Sequence, residues 1–365
     1  MPLTEGNDIM AKKIIIRSFR NTDYSQIFNV WENSTYHNTW GDFTSDDFYA
    51  QVLGSLLFDP EYFILSLLNQ THKNLEVILV DDKSSDNSKT VIERFASEDE
   101  RVIPVYQETN SGVSLARNQG LKMATGDWIG FCDGDDWFDE TLIEELLNEA
   151  YKQVADYVFC NYKIATDSSS MASGSLTITP SCCDNKTVVA CGPTSSCTHL
   201  IKRELFEEAG VSYPAGLRQY EELPVIPVLA KYAHKICVVD KPLYNYFQRG
   251  DGSSASNKAV DSEKNFFKAF DKMQELLGDD YKAEAEYHAI YALFYGEILN
   301  LCKRKVSSRE IKAKIKEYET LFPDYTQNKY LEYMGRVKNI FIVFVKHKFI
   351  LGVKLLAFIH SKIVK

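Results

Sequence analysis

The sequence predicts an α/β fold, a mostly parallel sheet with flanking helices, followed by a helical C-terminal region. Two observations predict this fold. Between residues 75 and 163, short apolar runs alternate with amphipathic stretches, which is the strand and helix order of a parallel sheet. From about residue 259 to 322 the pattern favours helices throughout.

The first of these strands is the clearest. Residues 75–81, LEVILVD, form a continuous apolar run, as expected for a strand that is buried on both faces. We expect a loop with short strands at 164–200, where Ser, Thr and Cys are frequent. The remaining predictions, in chain order, are a helix at 84–99, a strand at 101–106, a helix at 111–126 ended by Gly126, a strand at 127–133, a helix at 139–155, a strand at 156–163, helices at 202–210 and 220–235, and a strand at 236–240.

Composition excludes some classes of function. The chain has 365 residues, which suits two domains, and its net charge of -10 argues against a general nucleic-acid binder. Its eight cysteines include no CxxC pair, so buried thiols are favoured over a metal site. The first residues contain no apolar signal core, and we therefore expect a reducing, cytoplasmic setting.

Carboxylates follow two of the predicted strands. Asp81 and Asp82 end the first strand, while Asp133, Asp135 and Asp136 follow the strand at 127–133. Parallel strands bind ligands at their shared carboxyl edge, and crowded carboxylates repel one another unless a cation lies among them. Hard cations such as Mg²⁺ or Mn²⁺ prefer oxygen ligands. The alternatives are a solvated acidic turn after the later strand and helix-capping aspartates after the earlier one.

Arg117 is a further candidate, in the predicted helix at 111–126. Helix N-termini favour anions through their unpaired N–H groups. Arg117 lies more than one turn into this helix, from where it could reach a phosphate or an acidic neighbour. A surface salt bridge is the alternative.

Several segments resemble the bacterial family 2 glycosyltransferases. Residues 67–88, LLNQTHKNLEVILVDDKSSDNS, are similar to that family's opening signature. Residues 110–137 resemble its N-x-G-x-S-x-A-R-N-x-G-L segment, its next strand and its acidic turn. Residues 202–208, 216–224 and 242–256 resemble its KRELFEE, YEDLP and Y-R-x-R-x-x-S segments. The resemblance spans about 62–256 and implies a Rossmann-like GT-A fold.

The resemblance also implies a reaction and roles for the matching residues. The reaction would be inverting transfer of a sugar from a nucleotide-sugar, a UDP-sugar or similar donor, to a hydroxyl of a glycan or lipid-linked acceptor. Asp133 and Asp135 would form the DxD pair, with Asp135 on a divalent cation, Mn²⁺ or Mg²⁺. Glu222 would be the general base, with Glu221 in reserve. Substrate binding would fall to Asp81, Asp82 at the nucleobase, Arg117, Asp133 and Arg249.

The sequence departs from the family pattern at four positions. Lys83 replaces the usual Gly, Glu222 replaces Asp, Gln219 is an extra residue, and Phe247 stands where Arg is frequent. The change at Glu222, together with the absence of the family's usual P-x-Y-N turn before residue 62, leaves open an alternative function, a catalytically degenerate GT-A module that acts as a binding or scaffold protein. A nucleotidyltransferase would share the acidic metal chemistry, but the segments after residue 200 give it no support.

The N-terminus is unusual for this family. Residues 13–65 weakly resemble the start of GNAT acetyltransferases, but no Gly-rich loop for acyl-CoA follows, and acetyl transfer is rejected. We expect residues 13–19, KIIIRSF, to fill the first strand position, with residues 20–60 as an insertion. A fusion with an incomplete nucleotide floor is the alternative. The predicted divisions are an atypical segment 1–60, a GT-A domain 61–256, a helical region 257–325 and a basic helix 326–365.

The last part of the chain is basic and apolar. No acidic residue follows Glu332, and Lys346, Lys348 and Lys354 interrupt the apolar runs. A spanning helix needs about 20 predominantly apolar residues, so an amphipathic helix on the membrane surface is favoured. We therefore expect a peripheral protein on the inner face of the cell membrane. Packing on the domain itself, or on another subunit in a homodimer, is the alternative.

Overall fold

The computed structural model describes residues 13–18, 60–166, 172–173, 184–217, 219–248 and 262–363. The chain divides into two compact units. We call them the sheet unit and the helical unit. The sheet unit consists of the described residues of Met1–Ser175, Ser195–Arg218 and Ala233–Lys258, and the helical unit consists of those of Leu176–Thr194, Gln219–Tyr232 and Ala259–Lys365.

A single mixed sheet forms the centre of the sheet unit. Its strand order within the described residues is β3-β2-β1-β4-β8-β6-β9-β5, with β7 beside β6. The strands are β1 (Lys13–Ser18), β2 (Leu75–Asp81), β3 (Val102–Tyr106), β4 (Trp128–Phe131), β5 (Trp137–Phe138), β6 (Tyr157–Thr166), β7 (Ala172–Ser173), β8 (His199–Lys202) and β9 (Ile236–Gln248).

Helices connect these strands and make up most of the helical unit. They are α1 (Pro60–Leu68), α2 (Ser88–Glu98), α3 (Val113–Met123), α4 (Leu142–Gln153), α5 (Asn185–Cys191), α6 (Arg203–Ala209), α7 (Ile226–Tyr232), α8 (Ser262–Leu277), α9 (Lys282–Ala289), α10 (Ile298–Lys303), α11 (Ser308–Leu321), α12 (Arg336–Lys346) and α13 (Ile350–Ile363). A π-helical segment, Ile290–Glu297, joins α9 to α10. Short 3-10 turns lie at Ser196–Thr198, Asp279–Tyr281, Tyr325–Gln327 and Lys329–Met334.

Strand β1 lies in the middle of the parallel part of the sheet. It pairs in parallel with β2 on one side and with β4 on the other. Residues 13–18 therefore fill the strand position that the sequence left uncertain, as expected. Residue 19 of the predicted strand and residues 20–59 of the predicted insertion lie outside the described residues.

The sheet confirms the predicted parallel strands and adds β5, which the sequence did not predict. Strand β8 is antiparallel to both β4 and β6. It begins at the end of 164–200, where we expected a loop with short strands, and continues to Lys202, where we expected a helix to begin. Helix α5 falls within 164–200, and its first turn is capped by Asp184, whose side chain accepts a hydrogen bond from the N–H of Thr187. Elements this short carry too few residues for their periodicity to be recognised.

Two helix boundaries differ from the prediction. Helix α3 ends with Ala124 as its C-cap instead of at Gly126. The helix predicted over 220–235 begins only at Ile226, because the preceding residues form a turn in which the N–H groups of Val225 and Ile226 both donate to Glu222 O, at 3.0 Å.

The predicted 61–256 domain coincides with neither unit. Residues 184–194 and 219–232 group with the C-terminal helices. Buried contacts explain this grouping, since His288 on α9 bonds to Val189 O on α5 at 2.7 Å. Lys231 on α7 likewise donates to Leu277 O on α8 at 3.0 Å.

The C-terminal region contains two helices where the sequence predicted one. Helices α12 and α13 are separated by a short turn in which Lys348 has a φ of +53°. A left-handed residue at this position ends α12 and reverses the chain. None of the helices in the described parts of the chain has both the length and the apolar character needed to cross a bilayer.

The position of β1 can be tested with proline. Ile15 pairs with Val77 on β2 and with Gly130 on β4, and proline there removes one N–H from the ladder and leaves a buried carbonyl unpaired. We expect Ile15→Pro to lower the free energy of unfolding by about 1–3 kcal/mol, measured by thermal or urea unfolding. Ile15→Val is the matched control. Equal stability of the proline variant and the wild type would show that β1 is not a central strand.

Candidate active site

The predicted acidic residues meet at one edge of the sheet. Ile16 of β1 is level with Ile78 of β2 and with Phe131 of β4. Asp82 is the first residue after the end of β2, and Asp135 lies in the turn that follows the end of β4. Neighbouring strands are about 4.7–4.9 Å apart, so the two strand ends are separated by about 10 Å. The two groups of carboxylates thus belong to one rim.

Asp82 caps the start of α3. Its Oδ1 accepts hydrogen bonds from the N–H of Ser111 at 2.7 Å and from the Ser111 hydroxyl at 3.1 Å, and its Oδ2 accepts from the N–H of Gly112 at 2.7 Å. The carboxylate is buried. Gly112 has a φ of +88°, a conformation that suits glycine. The sequence left open a capping role for Asp82 at the next helix along the chain, α2. The structure shows that Asp82 caps α3 instead. Its contact with a nucleobase stays a prediction.

Asp81 and Lys83 shape the turn beside this cap. Asp81 Oδ1 accepts from the N–H of Ser84 at 3.1 Å, and its main-chain oxygen accepts from Gln107 N–H at 2.9 Å. Lys83 has a φ of +59°, so this position needs the left-handed conformation that glycine adopts most easily. Family members usually have Gly at this position. Lys83 adopts the same left-handed backbone conformation that a glycine would adopt. The substrate-binding role of Asp81 stays a prediction.

Arg117 is a buried cation, not a surface one. Its side chain is 2% exposed, and its Nη2 donates to Asp133 Oδ1 at 3.1 Å. The guanidinium also lies over the ring of Tyr213, 5.3 Å from its centroid. Tyr213 is fixed in turn by Asn118, which exchanges two 2.8 Å hydrogen bonds with its main chain. The sequence left open whether Arg117 contacts a phosphate, an acidic neighbour or a surface partner. The structure shows the acidic neighbour, Asp133, and a contact with phosphate stays a prediction.

The acidic turn orients its carboxylates differently. The N–H of Asp136 donates to Asp133 O at 3.0 Å and closes the turn. Asp136 is buried, and its carboxylate accepts from the Tyr244 hydroxyl and from the N–H of Phe247, the latter at 2.8 Å. Burial, and then the negative charges of Asp135 and Asp133, raise the pKa of Asp136 well above its usual value. Sequence spacing alone gave no signal that Asp136 turns inward.

Asp133 and Asp135 suit the edge of a divalent cation site. Both are only partly buried, and their negative charges add to the effect of burial in raising the pKa of Asp136. Within the described residues no group of three or more His, Cys, Asp or Glu side chains is arranged to hold a metal by itself. Two carboxylates still fit a hard cation that takes its other ligands from phosphate oxygens and water.

The two predicted bases lie in the helical unit. Glu221 is buried, at 6% exposure, whereas Glu222 is half-buried. Tyr220 before them has a φ of +63°, an uncommon conformation for a bulky residue. Its ring packs edge-on against Phe266, 5.3 Å between centroids. Of the two glutamates, Glu222 is therefore the more accessible to an acceptor.

The last predicted site residue, Arg249, lies outside the described residues. Strand β9 ends just before it, at Gln248. Phe247, which stands where the family often has Arg, is buried in a small apolar cluster with Trp137 and Ala165. Phe247 thus packs in the core instead of contacting a ligand.

The cap can be tested by removing Asp82. Asp82→Ala leaves the N–H groups of Ser111 and Gly112 without their partner, so we expect a loss of about 1–2 kcal/mol in the free energy of unfolding, measured by urea unfolding. Asp240→Ala, at an exposed position on β9, is the control and should change it by less than about 0.5 kcal/mol. A similar effect for both variants would argue against the capping role.

Comparisons with known proteins agree with this fold. The family model described as "Glycosyl transferase family 2" matches residues 61–209. The structure is similar to that of TarS from S. aureus in complex with UDP-GlcNAc, with a TM-score of 0.64, 15% identity, and coverage of 96% of this chain and 92% of that chain. Nothing in the comparisons supports the resemblance of residues 13–65 to an acetyltransferase.

Relatives by sequence cover a shorter stretch. EpsJ of Bacillus subtilis, an uncharacterised glycosyltransferase, is 32% identical over 51% of this chain and 56% of its own length. The glycosyltransferase GlyG of Streptococcus pneumoniae is 41% identical over 26% of this chain and 32% of its own. The chain thus spans about half or less of the length of these relatives. Residues 61–209 thus match the model of glycosyl transferase family 2, and the fold is similar to that of TarS.

Proposed function

We propose that this chain transfers a sugar from a nucleotide-sugar, a UDP-sugar, to a hydroxyl of a glycan or lipid-linked acceptor, with inversion at the anomeric carbon. The observation that carries the proposal is the rim at the carboxyl ends of β2 and β4. There the Asp82 cap and the Arg117–Asp133 ion pair tie both strand ends to α3. The complexes of TarS with UDP and with UDP-GlcNAc support this donor class.

The rim has the chemistry that a nucleoside diphosphate requires. Asp133 and Asp135 would hold Mg²⁺ or Mn²⁺, which would neutralise the charge that grows on the departing diphosphate. Arg117 holds the Asp133 carboxylate in a fixed orientation. Asp136, drawn inward by Tyr244 and Phe247, fixes the main chain of the turn that carries both carboxylates.

The proton of the acceptor hydroxyl goes to Glu222 in this proposal. The oxygen attacks the anomeric carbon while Glu222 takes its proton, and the bond to the diphosphate breaks on the opposite face. Glu222 is half-buried whereas Glu221 is buried, so Glu222 is the first candidate and Glu221 the second. Glu222 carries one more methylene than the family's Asp. The main chain must therefore lie farther from the acceptor for the carboxylate to reach the same position.

The site of action in this proposal is the cytoplasmic face of the membrane. The basic, apolar C-terminal region favours a peripheral association, and a lipid-linked acceptor would be available there. A rival function is that of a degenerate GT-A module, a binding or scaffold protein. Detection of sugar transfer from any nucleotide-sugar would exclude this rival.

The cation site can be tested without activity. Asp135→Asn keeps the shape of the side chain but removes one charge from the proposed ligand pair. We expect calorimetric titration with UDP to show at least a roughly tenfold loss in the affinity that Mn²⁺ adds. Asp240→Asn, an exposed change on β9, should leave it unchanged. An Asp135→Asn variant that binds UDP and Mn²⁺ like the wild type would refute this role.

The base can be tested by kinetics. Glu222→Gln removes the proton acceptor and keeps the side-chain size, so we expect kcat for sugar transfer to fall by about 10²–10⁴ while UDP affinity is kept. Glu221→Gln, its neighbour, should have a much smaller effect. A larger effect of Glu221→Gln would move the base to that residue, and a normal kcat for both variants would refute both assignments.

A further inference from the structure

The C-terminal hairpin leaves large apolar side chains in solvent. We define it as α12, the turn of residues 347–349, and α13. Leu351 is 74% exposed, Phe358 is 60% and Leu355 is 57%. Phe349, at the turn, is half exposed as well. Single exposed apolar residues are ordinary, but such a concentration marks an interaction site.

Helix α13 is apolar on two opposite sides. Ile350, Val353 and Ala357 are buried on one side. Leu351, Leu355 and Phe358 recur at intervals of four and three residues, which places them on one stripe of the other side. A helix with a single buried face in water carries polar residues on its outer side, and α13 carries leucine and phenylalanine there. Its outer face therefore fits an apolar environment.

Helix α12 has the same arrangement. Phe341 is buried and packs edge-on against Tyr295, 5.2 Å between ring centroids. Ile340 and Val343 on its other side are 48% and 50% exposed. The hairpin is held at its turn by an edge-on contact of Phe344 with Phe349, at 5.2 Å. The inner faces thus hold the hairpin to the helical unit and leave the outer apolar residues available.

Charge indicates what covers this surface. Residues 333–365 contain seven Lys or Arg and no acidic residue. Lys346 at the end of α12 is exposed, and Lys348 is 42% exposed although it pairs with Glu319 at 2.8 Å. A second copy in a two-fold dimer would present the same surface and would set cations against cations. Anionic headgroups provide the opposite charge.

We infer that the C-terminal hairpin lies flat on a lipid surface with anionic headgroups, with Leu351, Leu355 and Phe358 at the boundary of the acyl chains. This inference rests on the proposed membrane location and deepens it, because it names the partner and the contact residues. Helix α13 has 14 residues, about 21 Å at 1.5 Å per residue. This is shorter than the roughly 30 Å of a hydrocarbon core, so the helix lies in the interface.

The test is co-sedimentation of the full chain with vesicles of phosphatidylcholine alone or mixed with phosphatidylglycerol. We expect binding to the mixed vesicles that weakens as salt is raised. Leu355→Asp should weaken it by roughly tenfold or more, and Lys346→Glu should weaken it on the mixed vesicles. Leu321→Asp, an equally exposed position on α11, is the matched control and should bind like the wild type.

Three results would overturn the inference. They are no binding to either vesicle, equal binding by Leu355→Asp with unchanged helix content by circular dichroism, and a dimer in sedimentation that Leu355→Asp dissociates. The last would assign the surface to a second copy. Because the assay contains no sugar donor, its failure leaves the proposed transfer untouched. A chain that binds vesicles but transfers no sugar would refute the proposed function and retain this inference.

Discussion

The candidate site depends on a helix that is tied at two points to the sheet. Asp82 at the end of β2 caps α3, and Arg117 within α3 pairs with Asp133 just beyond β4. A buried guanidinium is tolerated only beside an opposite charge. Removing either partner leaves the charge of the other one unpaired. The ion pair therefore fixes where α3 lies, and α3 in turn keeps the two acidic strand ends in one arrangement.

Much of this arrangement could be predicted from the sequence. The buried run of β2 and the acidic residues after β2 and β4 placed Asp82 and Asp135 at one rim, because parallel strands share a carboxyl edge. A strand at residues 13–19 was also expected, because a parallel sheet without its central strand would expose apolar surface, and residues 13–18 form it. These predictions rest on local periodicity and on general rules of topology, which a single sequence expresses directly.

What the sequence could not show depends on contacts between distant segments. From the sequence, Arg117 could be a surface residue or a buried one. In the structure the rings of Phe131 and Tyr213 lie beside its guanidinium and bury it. Asp136 looks like its acidic neighbours in sequence but turns toward Tyr244, more than a hundred residues away. The placement of Glu221 and Glu222 in the helical unit likewise depends on packing against α8 and not on any motif.

Two departures from the family pattern share one physical feature. Lys83 stands where glycine is usual and Tyr220 follows the extra Gln219, and both have positive φ angles, +59° and +63°. The left-handed conformation costs a non-glycine residue about 1–2 kcal/mol. Both turns therefore keep their path because surrounding contacts hold it, as the ring of Tyr220 does on Phe266.

The central position of β1 has a consequence for folding. Of the described strands β1 comes first along the chain, yet its two neighbours, β2 and β4, both begin after residue 70. Closing the long stretch between them costs entropy before any pairing is gained. During synthesis β1 can therefore take its place between β2 and β4 only after both have emerged, and the acidic rim forms late, once this interior strand has inserted.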